Sequence, residues 1–144
     1  VADFLERRQS YSTVLLASAT KTATGNSQAS PATLKDTAGG IVFELDVTAA
    51  ATAVGDLLDV AIQTTIDGTN WVDVVAFTQV LGNGGAKRFY AKLSATEPQA
   101  VFEGSAAISA GSVRHLIGNQ WAVKWTVASS SAPSFTFSVT ACPI

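Results

Sequence analysis

The 144-residue chain has no methionine, one cysteine (Cys142), one histidine (His115) and only 14% charged residues. Each scarcity excludes something. A lone cysteine allows no disulfide within the chain, which fits a reducing site of synthesis or indifference to redox state. Cys142 reads as a buried, inert thiol. One histidine and one cysteine do not make a zinc site. A Ser–His–carboxylate triad would have to use His115, and no Gly-x-Ser-x-Gly elbow is present. His115 therefore reads as a strand residue near the surface. The nine Lys and Arg are scattered, with Arg7-Arg8 and Lys87-Arg88 the only adjacent pairs. No basic stripe is available to neutralise phosphates, so nucleic acid is not an expected partner. No apolar run approaches the ~20 residues of a membrane helix. The opening "VADFLERRQS" lacks the basic, apolar, small order of a signal peptide. With valine first and methionine nowhere, loss of an initiator Met is expected.

What is abundant is apolar and small. Hydrophobic residues make up 47% of the chain, against a charged fraction well under the roughly 25% of average domains. Such a surface is either rich in Ser, Thr and Ala or partly covered by a partner. A chain of this length forms one domain and buries roughly 70% of its unfolded surface, so it needs no staples.

From Ile41 onward the hydrophobic period is two. "IVFELDVTA" sets Ile41, Phe43, Leu45 and Val47 against Glu44, Asp46 and Thr48. "DLLDVAIQTTI" sets Leu58, Val60, Ile62 and Ile66 against Asp59, Gln63 and Thr65. "NWVDVVAFTQV" puts Trp71, Val75 and Phe77 on one face, interrupted by Asp73. "AKRFYAKLSA", "NQWAVKWTVAS" and "PSFTFSVTACP" alternate in the same way, the last two through Trp121, Val123, Trp125 and Val127, and through Phe135, Phe137, Val139 and Ala141. Alternation with β-branched and aromatic residues marks half-buried strands. "TVLLASAT" (Thr13–Thr20) reads as a first strand, and short strands are expected near Val101–Glu103 and Val113–Ile117. The total is about eight or nine strands and no substantial helix. The expected fold is all-β, a two-sheet sandwich of jelly-roll-like type over residues 11–144. An N-terminal arm (residues 1–10) precedes it, with Asp3 and Glu6 spaced as a capping box.

Turn chemistry separates the runs. Asp67-Gly68 signals a hairpin. "LGNGGAK" supplies glycines for positive φ and lacks the Lys-Ser/Thr of a phosphate loop. "SSSAPS" (Ser129–Ser134) separates the last two strands, which are expected to pair as an antiparallel hairpin. Residues 21–40, rich in Thr, Ser, Gly and Pro, form the longest loop candidate. Asp56 with Asp59, and Asp67 with Asn70 and Asp73, have oxygen-ligand spacing for calcium. Only Asp67 and Asn70 share a turn, so no metal or cofactor is expected, and the chain reads as a non-enzyme.

Trp71 poses the central question. Burying a tryptophan removes ~150–250 Å² from water, about 4–6 kcal/mol at 25 cal/mol/Å². As a core residue it joins Phe77, Trp121, Trp125, Phe135 and Phe137. As an exposed residue beside a turn, it stacks on a sugar ring. The core reading is preferred. The pattern Ser/Thr-x-Asp-Gly-x-x-Trp also resembles the discoidin-type jelly-roll carbohydrate modules, where it packs inward.

Three segments together, "LDVAIQTTIDGTNWVDVVAFTQV", "KRFYAKL" and "QWAVKWTVASSSAPSFTFSVTA", resemble small virion accessory proteins of tailed bacteriophages. The residues that carry the likeness are Ile62-Gln63, Asp67-Gly68, Trp71, Phe77, Trp121–Val127 and Ser134–Val139. The resemblance implies a jelly-roll-like capsid decoration or cement protein on the outside of the head. It implies self-association into a homotrimer at threefold positions of the shell, the major capsid protein as partner, and synthesis in the host cytoplasm. No membrane partner or small-molecule substrate is expected. In the arm, Phe4 and Leu5 are candidate anchors, and Arg7 and Arg8 candidate partners for capsid carboxylates. A tail or head–tail joining protein, or a carbohydrate-binding module for host recognition, are the alternatives.

Overall fold

The computed structural model describes residues 12–50 and 52–144. The expected arm, with Phe4, Leu5, Arg7 and Arg8, lies outside them. Ten strands follow in order: β1 (Thr13–Lys21), β2 (Gly25–Asn26), β3 (Ile41–Ala49), β4 (Leu57–Thr65), β5 (Trp71–Ala76), β6 (Val80–Leu81), β7 (Lys87–Leu93), β8 (Ser112–Val113), β9 (Gln120–Ala128) and β10 (Phe135–Pro143). The only helical element among the described residues is a single 3-10 turn, Thr37–Gly39.

Two antiparallel sheets pack face to face. One runs β1-β10-β3-β7; the other runs β2-β9-β4-β5-β8, with β6 also paired to β4. Among consecutive strands only β4 and β5 are hydrogen-bonded neighbours. Nearly every other connection crosses between the sheets. This is the double Greek-key winding of a jelly roll. The alternating residues of both sheets meet in one core. Phe43, Leu45, Phe135, Phe137 and Val139 close it from one side, and Leu58, Ile62, Trp121 and Val123 from the other, all 0–1% exposed. Trp125 meets Phe137 edge-on at 6.3 Å, and Phe43 lies tilted against Trp121 at 5.5 Å.

The expected terminal hairpin does not form. β9 pairs with β2 and β4, and β10 with β1 and β3. Both strands are apolar on one side, and they satisfy that pattern by facing each other across the core instead of lying side by side. Residues 129–134 are thus a crossover between sheets. Asp56 fixes it, accepting from the Ser130 N–H (3.0 Å), the Ser131 N–H (3.2 Å) and the Ser131 hydroxyl (3.0 Å). Two other expected strands also fail. Residues 101–103 are irregular and Val101 is fully exposed, while the run at 113–117 shortens to β8.

The loop expected over residues 21–40 is largely an edge cover for β9. β2 pairs with Trp125 and Lys124, and Ala32 bridges to Trp121. The indole N–H of Trp125 donates to the Ala23 carbonyl at 2.9 Å. The segment closes at Gly40, whose φ of 123° suits glycine alone, and where a Cβ would meet the Leu93 carbonyl.

Candidate functional site

The site begins with an irregularity. In β4 and β5, Ile62 lies opposite Val75 but Gln63 lies opposite Asp73, so Val74 is an extra residue and the strand bulges. A bulge re-aims the side chains that precede it. Val74 and Val75 both turn to the core, at 0% and 1% exposure. Asp73 and Trp71 turn the other way, onto the outer face of the six-stranded sheet beside Gln63 and Thr65. Trp71 is half-buried and stands apart from the hydrophobic cluster. The core assignment for Trp71 is therefore corrected. Without the bulge, Trp71 would have shared the face of Val75 and Phe77.

On that outer face polar groups form a connected row. Gln28 Nε2 donates to Gln63 Oε1 at 2.7 Å, and Gln63 Nε2 donates to Asp73 Oδ1 at 2.8 Å. Lys124 Nζ lies 2.6 Å from Asp73 Oδ2. Gln63 is only 5% exposed, and both ends of its amide are satisfied, as a buried amide requires. Above the row opens a cleft of about 510 Å³, lined by Gln28, Gln63, Thr69, Asn70, Trp71, Val72 and residues 103–105. The indole N–H of Trp71 has no hydrogen-bond partner among the described residues.

Both walls of the cleft are anchored. One is the β4–β5 hairpin. Asp67 Oδ1 accepts from the N–H groups of Asn70 (2.8 Å) and Thr69 (2.9 Å), and Oδ2 from Asn70 Nδ2 at 2.7 Å. The Asn70 and Thr69 amides, chiefly, hold the Asp67 carboxyl well below the usual carboxylate range. Gly68 takes φ 81° beside it. The loop spans residues 66–70, an Asx-type turn longer than a two-residue hairpin connection. The other wall is the long segment between β7 and β8. Arg114 holds it, donating to the Ala106 carbonyl at 2.9 Å and lying 4.4 Å over the Phe102 ring. Glu103 accepts the hydroxyl and the N–H of Ser105, and these, the hydroxyl first, keep its pKa low.

The other sequence candidates disperse. Phe77, Trp121, Trp125, Phe135 and Phe137 are all core residues, none more than 7% exposed. Asp67 and Asn70 stay in their turn while Asp73 turns to Lys124, and Asp59 meets Gln79. Among the described residues no three His, Cys, Asp or Glu side chains converge. His115 is not in a strand: it follows β8, and its Nδ1 accepts the Ser94 N–H at 3.0 Å. Cys142 is half-buried, since its place opposite Val42 puts it on the outer face of the four-stranded sheet and not in the core. Gln28, Gln63, Lys124 and Glu103 were missed by the sequence reading. The one available signal was Asp73 interrupting an apolar face. Comparison with protein-family models, curated proteins and solved structures finds no match.

Proposed function

We propose that the chain is a non-enzymatic structural protein of a tailed-phage virion, a decoration or cement protein that binds the outside of the head and stabilises it. The observation that carries this reading is the contrast between the two edges of the four-stranded sheet. The β7 edge bears Lys87, Arg88 and Lys92, all exposed. Charges of this kind blunt an edge against pairing. The β1 edge, nine residues long, carries no charge before Lys21 and is mostly exposed. An edge left so lightly guarded serves as a contact surface for another subunit, its own copy or a capsid protein. Two register shifts in β1, between Val14 and Leu16 and between Leu16 and Ala19, shape the edge so that a fitted partner is favoured over open-ended strand addition.

A rigid sandwich with few charges and a Ser- and Thr-rich outer face suits broad contacts repeated by symmetry. On the four-stranded sheet this face presents Thr136, Ser138 and Thr140 on β10, with exposed Val14 beside them on β1, Glu44 and Asp46 on β3, and exposed Tyr90 beyond on β7. Trimers at threefold positions of the shell, with the major capsid protein as partner, complete the proposal.

The test is copy number. Purified particles are resolved on a stained gel against the major capsid protein. Hundreds of copies, in simple ratio to the capsid protein, are the expected result. A dozen copies or fewer would move the chain to the tail or the head–tail joint, and absence from particles would end the virion reading.

A further inference from the structure

We propose that the cleft beside Trp71 is a binding site for an uncharged saccharide. The inference rests on the six-stranded sheet alone and is independent of the role assigned to the β1 edge on the opposite sheet. Its basis is the composition and the stiffness of the cleft. Saccharides present two kinds of surface, the apolar C–H face of a ring and a rim of hydroxyls that both donate and accept. A receptor answers the first with an aromatic plane and the second with amides and carboxylates. Among the described residues the cleft is lined by one aromatic side chain, Trp71, and by the amides of Gln28, Gln63 and Asn70 and the carboxylate of Glu103, which answer hydroxyls. Its volume of about 510 Å³ lies inside the ~300–1,000 Å³ range of small-ligand sites.

The pattern of charge narrows the ligand. Among the described residues no lysine or arginine lines the cleft, and the neighbouring Lys124 is held by Asp73. Glu103 is the carboxylate in the lining, and its low pKa keeps it ionised at neutral pH. Anionic sugars and phosphates would meet this carboxylate, and the cation that acts on it, Arg114, lies outside the lining and is committed to the Ala106 and Ala107 carbonyls. Neutral hexoses and N-acetylhexosamines fit.

The cleft is also preorganised, which lowers the cost of ordering side chains on binding. Gln63 is fixed at both ends of its amide, Asn70 is tied to Asp67, and Glu103 is tied to Ser105. The bulge sends two consecutive residues, Val74 and Val75, into the core and places a large aromatic residue outside it, against a polar row. Among the described residues nothing takes the indole N–H of Trp71, which is available to a ligand hydroxyl.

The experiment is a titration of the full chain, isotopically labelled, with maltose, cellobiose and N,N′-diacetylchitobiose to about 10 mM each, followed by amide and indole NMR shifts. The expected result is saturable shifts from at least one disaccharide, confined to Trp71 and its lining neighbours. Trp71→Ala should weaken that binding at least tenfold, and its melting curve reports whether the sandwich stays folded. Gln28→Ala, at the cleft rim, serves as the second variant and should weaken binding severalfold; it also removes the donor to Gln63 Oε1, so a modest fall in melting temperature without loss of the folded state is expected. Absence of shifts with all three disaccharides overturns the proposal. So do shifts that map away from the cleft, and so does binding that survives both substitutions.

Discussion

At the residue scale the three tryptophans do different work. Trp121, 1% exposed against Phe43, is a keystone of the core. Replacing it by alanine should cost about 3–5 kcal/mol in denaturant unfolding. Trp71→Ala should cost less than about 2 kcal/mol, because its ring leaves no void between the sheets. Three carboxylates with lowered pKa values, Asp56, Asp67 and Glu103, shape the acid limb of stability. Burial pushes the Asp56 carboxyl up, but bonds from the Ser130 N–H and the Ser131 hydroxyl and N–H outweigh it, so the pKa falls below its ordinary value. Asp67 is lowered by its turn amides. A carboxyl lower in the folded than in the unfolded chain adds stability that is complete above its unfolded pKa, near about 4. That stability is lost as pH falls through the folded value. Melting temperature should thus hold steady from neutral pH to about pH 5 and drop below about pH 4. Asp67→Asn should flatten the drop, and an unchanged acid limb in that variant would contradict the assignment. The Asp67-Gly68 turn was legible in the sequence because its chemistry is local. The bonds from Ser130 and Ser131 to Asp56 were not, since these serines lie more than seventy positions away and nothing in their own surroundings points to it.

At the element scale, the alternation of Ile41–Ala49, Gln120–Ala128 and Phe135–Pro143 was read directly, since β3 and β10 bury one face only and β9 departs from this only at the small, buried Ala122. β5 was misread because a bulge costs one residue and reverses the face of everything before it. Asp73 was the trace it left. The same lesson holds for β1, where two register shifts spoil the period and "TVLLASAT" shows apolar residues on both faces. Two substitutions test these elements. Gly40→Ala should destabilise by about 1–3 kcal/mol from its backbone conformation alone, with a further loss from the Leu93 carbonyl, measured by denaturant midpoint. Ala17→Lys places a charge on the exposed β1 edge. It should abolish binding to purified heads while leaving the melting temperature of the free protein within about a degree or two. Undiminished binding would free β1 from any docking role.

At the scale of the whole molecule, sequence pattern fixed the number of layers but not their order. One-sided strands look the same whether their neighbours lie beside them or across the core. The expected hairpin of β9 and β10 failed on this ambiguity. The crossover that replaces it depends on Asp56, so Asp56→Asn, which keeps one acceptor oxygen but turns the other into a donor facing the Ser131 hydroxyl and the Ala53 N–H, should act far along the chain from its place just before β4. Melting temperature should fall by several degrees, and exchange protection at the Ser130 and Ser131 amides should be lost first. The same winding has a consequence for how the protein is made. β9 is the strand between β2 and β4, and β10 the strand between β1 and β3. A nascent chain therefore carries its outer strands out of the ribosome while the inner strand of each sheet is still untranslated. At roughly 5–20 residues per second, β1 waits several seconds for β10 to arrive. The four-stranded sheet cannot be completed until β10 emerges, and β1, without charge before Lys21, spends the interval without the strand that will pair with it.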